Sequence, residues 1–582
     1  MAELANKKGG NNNAGIIQST RNYIDRMLKE VSEMKIMLLD TETTGILSMV
    51  YTQTQILSKQ VYLVEHVKNT SLHGRMMHLK AVAFVRPTMA NIELLKKELA
   101  DPHFSQYHIY FSNFVPQDFL SQLAKADVHE VVATVQEFYA DFYAVNFDAF
   151  TLNLPSSLSL ALPKDMWGSG QERNFDRAAQ GVLALLLSLK LKPQVRYQNS
   201  SDLARQFARK VQQNILSESA LFTFRNKGKN APVLLILDRR DDPITPLLTQ
   251  WTYQAMVHEM IGVNDNRVDM SRAPGIRKDL KQTVLSPADD TFYATNMYKN
   301  FGDIGGAVKE LLNRYQTELK DNQNLSSITD MQNFVDKYPE FKAMSTNVSK
   351  HVAVIGELSR LVDQHKMMDV SHLEQELACT DDHSSQLKNL LAMMDDRSLA
   401  TVDALRLAML YALRYETKSN NQINQIKERL RDRNCDQVNL IDTLLNYAGA
   451  AKRGGDLYGN KTFMASIANM GTMLKGVQNV YTQHVPFFED SVKKALSGRL
   501  PEANFPAVSG VPGNNKASNV VVFIIGGITY EEAAMVARIN EKAGQTGKVI
   551  LGGTFIHNSK SFLTELNRLK EIQAGYGSFT SR

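Results

Sequence analysis

Two carboxylates stand one residue apart at the end of an apolar stretch near the amino terminus. Asp40 and Glu42 follow the run 35–39, which predicts a buried strand. Side chains two positions apart point to the same side of an extended chain, so both acids would face one site. A pair of this kind can bind magnesium ions that assist hydrolysis of a phosphodiester. Metal-dependent hydrolysis is therefore the first chemical hypothesis.

The sequence Asp-x-Glu-Thr-Thr-Gly that contains these acids resembles the first motif of 3′–5′ exonucleases, but the other motifs are incomplete. Asp148 matches the second motif. A third motif beginning at His351 carries Gly356 where an acid is required. Two acids cannot complete a site of four carboxylates. A metal-dependent 3′–5′ exonuclease that uses Asp40 and Glu42 is kept as the alternative function.

A second group of acids follows another apolar run, Val233–Leu237. Three aspartates and two arginines fill the positions Asp238–Asp242. Acids at the carboxyl end of a strand can hold a metal, but without further ligands the signal is weak. The pattern favours a charged, solvated turn between a strand and a helix, in which Arg239 and Arg240 pair with the acids.

Other kinds of chemistry have little support in the sequence. The 13 histidines include none paired with a cysteine at metal-binding spacing, and no Gly-x-Ser-x-Gly elbow occurs. The glycine pairs 526–527 and 552–553 follow predicted strands but lack the pattern of a phosphate-binding loop. We therefore predict no catalytic residue, no metal site and no cofactor.

Length and charge limit the class of protein further. The chain has 582 residues, with 66 basic and 61 acidic side chains and a net charge of +5 spread along it. Such a length predicts several domains, and the diffuse charge argues against nucleic acid as a partner. Two distant cysteines fit a reducing compartment. No apolar run reaches the roughly 20 residues of a spanning helix, so we predict a soluble protein.

Residues 1–146 are predicted to form a first domain with a parallel sheet. Short apolar runs alternate there with amphipathic segments, as in α/β domains. One predicted helix opens with Pro116 and carries Leu120 and Leu123 on one side. A further helix is predicted over 128–143.

The second α/β domain is predicted to be discontinuous, formed by 147–250 and 490–582. The first segment lacks enough strands for a sheet, and 520–525 and 549–551 supply buried strands near the carboxyl terminus. The fold class is therefore α/β plus all-α, because the remaining segment has a different pattern.

Residues 251–489 are predicted to form a mainly helical third domain. Apolar stripes at helical spacing predict a helical hairpin at about 300–362, and a short strand is predicted at 291–294. Pro339 lies in the returning arm of the hairpin. A proline there removes a hydrogen bond and clashes with the preceding turn, so the arm is expected to kink or break near Tyr338.

Several segments together resemble the SM (syntaxin-binding) family, from about residue 16 to 570. They include Asp-Arg-x-x-Asp-Pro-x-Thr-Pro-Leu-Leu at 238–248, Tyr-Pro-Glu-Phe at 338–341 and Ile-Ile-Gly-Gly-Ile-Thr-Tyr-Glu-Glu-Ala at 524–533. Together with 251–256, the segment Ile-His-Asn-Ser-Lys-Ser-Phe at 556–562 resembles the endosomal and trans-Golgi branch of that family.

The resemblance implies an arch of three domains with a cleft that holds a Qa-SNARE (syntaxin). It implies a monomeric SNARE chaperone, not an enzyme, that also engages the assembled SNARE bundle and an R-SNARE. The protein would be cytoplasmic, peripheral to endosomal, Golgi and vacuolar membranes through its SNARE partner. Neuronal members carry a basic residue where Gly45 stands, so a weaker or different grip on closed syntaxin is expected.

The resemblance also implies two sites. A pocket for an N-terminal syntaxin peptide would use Leu120, Leu123 and Glu137, with the acid on the helix after the leucines. The leucines would bury an apolar anchor and the acid would pair with a basic peptide residue. From the residues alone, the core of the first domain is the preferred position for both leucines. Tyr338 and Pro339 would form the hinge of the hairpin.

Overall fold

The structure is a computed structural model that describes most of the chain. The described residues are 15–72, 74–224, 230–323, 328–455, 457, 483–510, 516–544 and 547–580. The chain forms two compact units. Unit 1 consists of Met1–Leu237, Ser491–Gly527 and Val536–Phe555, and unit 2 consists of Asp238–Asp490, Ile528–Met535 and Ile556–Arg582. The finer division into three domains stays a prediction.

Unit 1 begins with a five-stranded parallel sheet in the order β2-β1-β3-β4-β5. Its strands are β1 (Lys35–Leu39), β2 (Val61–His66), β3 (Met76–Val85), β4 (Phe104–Phe111) and β5 (Val132–Glu137). Every residue of β1 is buried, because a parallel sheet is covered on both faces. The covering helices are α1 (Ile16–Glu30), α2 (Thr41–Val50), α3 (Gln53–Leu57), α4 (Met89–Ala100) and α5 (Gln117–Ala126).

The helix predicted over 128–143 is wrong, because the structure has β5 in its place. Val131, Val132, Thr134 and Val135 are β-branched, and such side chains favour a pleated strand over a helix. The strand pairs in parallel with β4. The helix that opens at Pro116 is confirmed as α5, with Pro116 as its N-cap.

The second sheet of unit 1 combines strands from both halves of the chain. The other strands of the described residues, in this sheet and in two small ones, are β6 (Tyr143–Ala144), β7 (Ala149–Thr151), β8 (Gln194–Tyr197), β9 (Val233–Asp238), β10 (Arg267–Asp269), β11 (Gln282–Val284), β12 (Asn519–Ile525), β13 (Ile528–Thr529), β14 (Lys548–Gly553) and β15 (Ile556–His557). The sheet has the order β6-β7-β14-β12-β9-β8. The carboxyl-terminal β12 and β14 therefore lie between β7 and β9. The sequence predicts that these strands belong to the sheet but not where they lie in it. Helices α6 (Ser169–Ser188) and α7 (Asp202–Ser217) complete this part.

Unit 2 is mainly helical in its described residues, which confirms the predicted fold class. Its first helices are α8 (Tyr253–Met256), α9 (Thr291–Asn296), α10 (Phe301–Gln323), α11 (Ile328–Gln364), α12 (Met367–Cys379) and α13 (His383–Asp395). Later helices are α14 (Thr401–Tyr415), α15 (Ile423–Asp432), α16 (Leu440–Ala448), α17 (Glu489–Leu496), α18 (Tyr530–Ala543) and α19 (Ser559–Thr580), of which α17 and α18 run into unit 1. The strand predicted at 291–294 is wrong, because Asp290 caps α9 there and accepts a hydrogen bond from the Tyr293 amide at 2.9 Å.

The predicted hairpin corresponds to α10 and α11, which pack against one another. Helix α11 runs without interruption from Ile328 to Gln364, through Pro339. The predicted break at this position is therefore wrong, whereas a kink stays a prediction. A proline inside a helix removes one backbone hydrogen bond and is tolerated when neighbouring turns hold the helix together.

Candidate functional site

Asp40 caps helix α2. Its carboxylate accepts hydrogen bonds from the amide of Thr43 at 2.7 Å, the side chain of Asn91 at 2.6 Å and the amide of Arg86 at 2.7 Å. The residue is 2% exposed. Glu42 lies in the first turn of α2 and its side chain is 47% exposed. The two acids therefore do not share one side of a strand.

No metal-binding cluster accompanies these acids in the described residues. Nowhere in this part of the chain do three or more His, Cys, Asp or Glu residues come together in a way that could hold an ion. The carboxylate of Asp40 accepts hydrogen bonds from two backbone amides and one side chain, so its role is to cap a helix and stabilise the fold. The exonuclease alternative has no support in the structure.

The charged turn Asp238–Asp242 is buried, which corrects the predicted solvated turn. Arg239 donates both hydrogen bonds of one nitrogen to the two oxygens of Glu532, each at 2.7 Å, and their side chains are 1% and 0% exposed. Asp242 accepts from the amide of Thr245 at 3.1 Å and from its hydroxyl at 2.7 Å. Burial opposes ionisation of Asp242, but the charge of Arg239, the influence of His484 and the hydrogen bonds from Thr245 together outweigh it and lower the pKa of the carboxyl.

Leu120 and Leu123 both lie on α5 and pack against the apolar core of the first sheet. Leu123 is 4% exposed and belongs to a cluster that includes Ile109 and Phe111. Leu120 is only partly buried against the same cluster. Leu123 is thus a core residue, while part of Leu120 is accessible from outside.

Glu137 ends strand β5, so it is not on a helix as the resemblance implied. Its carboxylate accepts a hydrogen bond from the Val115 amide at 2.8 Å and from the Tyr139 hydroxyl at 2.7 Å. Burial and the hydrogen bond to Glu137 raise the pKa of Tyr139 above its usual value. The two hydrogen bonds hold the carboxylate of Glu137 in position beside the start of α5.

Leu120, Val135 and Glu137 define what we call the α5–β5 surface. Val135 and Glu137 are two positions apart on β5 and point to the same side of the sheet. Val135 pairs with Ile109, whose side chain belongs to the cluster beneath α5, and Val135 is 40% exposed. Strand β5 is also the last strand of its sheet. Leu120 packs on the same cluster from α5, so accessible apolar groups flank this cluster, and a carboxylate and a strand edge lie beside Val135, a combination suited to an extended peptide.

Tyr338 and Pro339, the two residues predicted to form a hinge, are consecutive in the amino-terminal half of α11. Their backbone is helical, and the same helix continues in both directions for more than two turns. The structure therefore places the predicted hinge inside a single helix of the hairpin. It does not bring these residues together with the α5–β5 surface in one unit.

Comparison with known proteins gives a consistent result along nearly the whole chain. A sequence profile described as the Sec1 family matches residues 35–565. Vacuolar protein sorting-associated protein 45 of Homo sapiens is 46% identical over 560 residues, which are 95% of this chain and 96% of that protein. The protein of the same name from Dictyostelium discoideum is 43% identical over 557 residues, with 95% and 96% covered.

A solved structure is also similar to this chain over nearly its whole length. The structure described as "SM Protein Vps45 in Complex with Qa SNARE Tlg2" superposes with a TM-score of 0.86 at 41% sequence identity, covering 96% of this chain and 98% of that one.

Proposed function

Because the chain belongs to the Sec1 family, we propose that it is a SNARE chaperone. It binds a Qa-SNARE of the endosome and trans-Golgi network and promotes SNARE-complex assembly in vesicle docking and membrane fusion. The observation that carries this proposal is the likeness, over nearly the full length of both chains, to a protein solved with a Qa-SNARE. A chaperone of this kind acts by binding a fusion-competent SNARE arrangement more tightly than other arrangements.

The proposed activity is binding without catalysis. Support comes from the acids that suggested chemistry, since Asp40 caps a helix and Arg239 neutralises a buried carboxylate. The partners are the Qa-SNARE, an R-SNARE and their assembled bundle.

We propose that the protein reaches endosomal, Golgi and vacuolar membranes peripherally, through its Qa-SNARE. Among the described helices, none combines the length and the apolar character needed to cross a bilayer. The names of the relatives, which refer to vacuolar protein sorting, support this location.

We further propose that the N-terminal peptide of the Qa-SNARE docks on the α5–β5 surface. An apolar peptide side chain packs on the accessible part of Leu120, and Leu123 supports it from the core beneath. Glu137 pairs with a basic residue of the peptide. Two hydrogen bonds leave its carboxylate further acceptor sites, because an ionised carboxylate offers about four.

Tyr338 and Pro339 are proposed as the hinge of the hairpin. Pro339 lacks the amide hydrogen that would form one backbone hydrogen bond of α11, so the helix is expected to bend more easily there. A bend there changes how much of the helix is presented to an R-SNARE, which would use the apolar stripe of the hairpin as a groove for its own helix.

The docking site is tested by calorimetry with a synthetic N-terminal peptide of the Qa-SNARE. Leu120→Arg is expected to weaken peptide binding at least about tenfold, or about 1.4 kcal/mol, because a charge replaces the apolar contact. Leu216→Arg is the matched control, since Leu216 is a 64% exposed leucine on α7 of the same unit. Equal binding by wild type and Leu120→Arg would remove Leu120 from the site.

A further inference from the structure

Unit 2 contains a pocket of about 390 Å³ at the base of the hairpin. Four elements meet there: the π-helix Val257–Ile261, the segment after β10, the carboxyl-terminal part of α11 and the first turn of α19. Its size lies in the range of about 300 to 1,000 Å³ that is usual for ligand sites. Short π-helices are rare and occur often at functional sites.

Part of the pocket lining is apolar, and we call this part the floor. It is formed by Met260 and Ile261 from the π-helix, Met270 and Ala273 after β10, and Leu361 from α11. Methionine side chains are flexible and polarisable, so such a floor adapts to an inserted apolar group. A bare inorganic anion would leave this floor in contact with water.

The exposed part of the lining, which we call the rim, carries more basic than acidic side chains. Arg272 and Lys560 come from different elements, and both are exposed. Among the described residues, neither has an acid within ion-pair distance. In contrast, the carboxylate of Glu357 is already bound by Arg360, at 2.6 and 2.7 Å.

A second acid, Asp269, also lies at the rim, but the net charge of the rim stays positive. Asp269 accepts a hydrogen bond from the amide of Ser271 at 2.9 Å, which holds its carboxylate to its own turn. Asp269 offsets one of the two uncompensated cations, so the rim keeps a net positive charge beside an apolar floor. Complementarity to such a site requires a ligand that joins carboxylates to an apolar group.

We propose that this pocket is a second docking site, which binds a short acidic peptide segment of a protein partner. One apolar side chain of the segment inserts between Met260, Met270 and Leu361, and flanking carboxylates pair with Arg272 and Lys560. An apolar anchor in a pocket with a charged rim is a common pattern of peptide recognition. The proposal stands apart from docking of the N-terminal Qa-SNARE peptide, since it uses none of the residues of the α5–β5 surface.

The test uses the full-length protein and a fluorescent probe peptide, Asp-Glu-Leu-Phe-Asp-Glu, followed by fluorescence polarisation at low salt. Arg272→Glu and Lys560→Glu are each expected to weaken binding about tenfold or more. Lys278→Glu is the matched control, because Lys278 is an exposed cation of the same unit outside the pocket. A second probe carries serine in place of leucine and phenylalanine and is expected to bind at least about tenfold more weakly than the first.

Several results would overturn the proposal. Equal weakening by all three variants means unspecific attraction to charge, and equal binding of both probes means that the apolar floor is not used. Failure of the first probe to bind refutes the peptide site directly. Pocket-dependent binding to vesicles containing phosphatidylserine, without binding of the probe, would assign the rim to a lipid surface instead.

Discussion

Arg239 and Glu532 form a buried ion pair between positions 293 residues apart in the sequence. Removing one partner of such a pair leaves an uncompensated charge in the interior, which costs about 3 to 5 kcal/mol. We therefore expect Glu532→Ala to lower the free energy of unfolding of the protein by about this amount, measured by urea denaturation.

The matched control for this prediction is Asp279→Ala. Asp279 pairs with Arg277 at 2.7 Å, but both side chains are more than 60% exposed, so no measurable change is expected. Glu532→Gln should be more stable than Glu532→Ala, because it keeps an oxygen that accepts a hydrogen bond from Arg239. A Glu532→Ala protein that unfolds at the wild-type urea concentration would contradict this account of the pair.

Asp40 provides a second prediction for a single residue. Asp40→Ala removes the cap of α2 and leaves the donors of Thr43, Asn91 and Arg86 without their acceptor. Loss of an N-cap costs about 0.5 to 2 kcal/mol, and a thermal unfolding experiment should detect the decrease. Asp40→Asn keeps an acceptor and should lose less.

The same residue decides between the two function classes. We expect the wild-type protein to digest neither DNA nor RNA when magnesium is added, and magnesium should not raise its unfolding temperature. Magnesium-dependent digestion that disappears in Asp40→Ala would restore the exonuclease hypothesis.

The sequence shows where these acids lie along the chain, but it does not reveal their roles in the fold. The partner of Arg239 lies in a distant segment, so no local spacing could identify it. For Asp40 the local signal existed, since Asp-x-x-Thr directly after a strand is typical of a helix N-cap. The resemblance to a nuclease motif concealed it.

At the scale of elements, a buried network joins helix α9 to the hairpin. His351 accepts a hydrogen bond from the Tyr253 hydroxyl through Nδ1 and donates one to Asp290 through Nε2, both at 2.9 Å. Lys350 also contacts Asp290. Burial opposes ionisation of Asp290, but the hydrogen bond from His351 and the charge of Lys350 outweigh it and lower its pKa to about 2.

This network predicts a pH dependence. A carboxyl whose folded-state pKa lies below its ordinary value of 3.8 stabilises the fold above that value. Its contribution is lost as the pH falls from about 4 to about 2. Wild type should therefore unfold at a higher temperature than Asp290→Asn above about pH 4, and the difference should shrink below it.

The neighbouring exposed Asp289 supplies the control for this experiment. Asp289→Asn should unfold like wild type at each pH. A constant difference between wild type and Asp290→Asn across the whole range from pH 6 to pH 2 would mean that Asp290 contributes through something other than its charge.

Helix α11 carries the second prediction at this scale. Pro339→Ala restores a backbone hydrogen bond and removes a ring clash, a change of up to about 3 kcal/mol in a helix interior. Amides that flank position 339 should then exchange their hydrogen more slowly, as measured by mass spectrometry. Unchanged exchange rates there would argue against a hinge at Tyr338 and Pro339.

Helices and strands were predictable where the hydrophobic pattern was long, and the predictions were wrong where it was short. The hairpin and α5 follow from helical spacing over several turns. Strand β5 was predicted as a helix although its β-branched residues favoured a strand, and α9 was predicted as a strand although Asp290 is a typical cap. Both are six residues long, too short for periodicity to decide.

At the scale of the whole molecule, the discontinuous second sheet was predictable. Buried parallel strands appear as short, continuous apolar runs, and two such runs lie near the carboxyl terminus as β12 and β14. The order of the strands in this sheet was not predictable, because any of the buried apolar runs could take the central position. The function followed from the family resemblance and not from a local motif.

The most direct test of the account is calorimetric binding of the full-length protein to the cytosolic part of the endosomal and trans-Golgi Qa-SNARE. Intact SNARE should bind, and deletion of its N-terminal peptide and the variant Leu120→Arg should each weaken binding without adding to one another. Additive losses would separate Leu120 from the peptide. Absence of any binding by wild type would contradict the central claim that this protein is a Qa-SNARE chaperone.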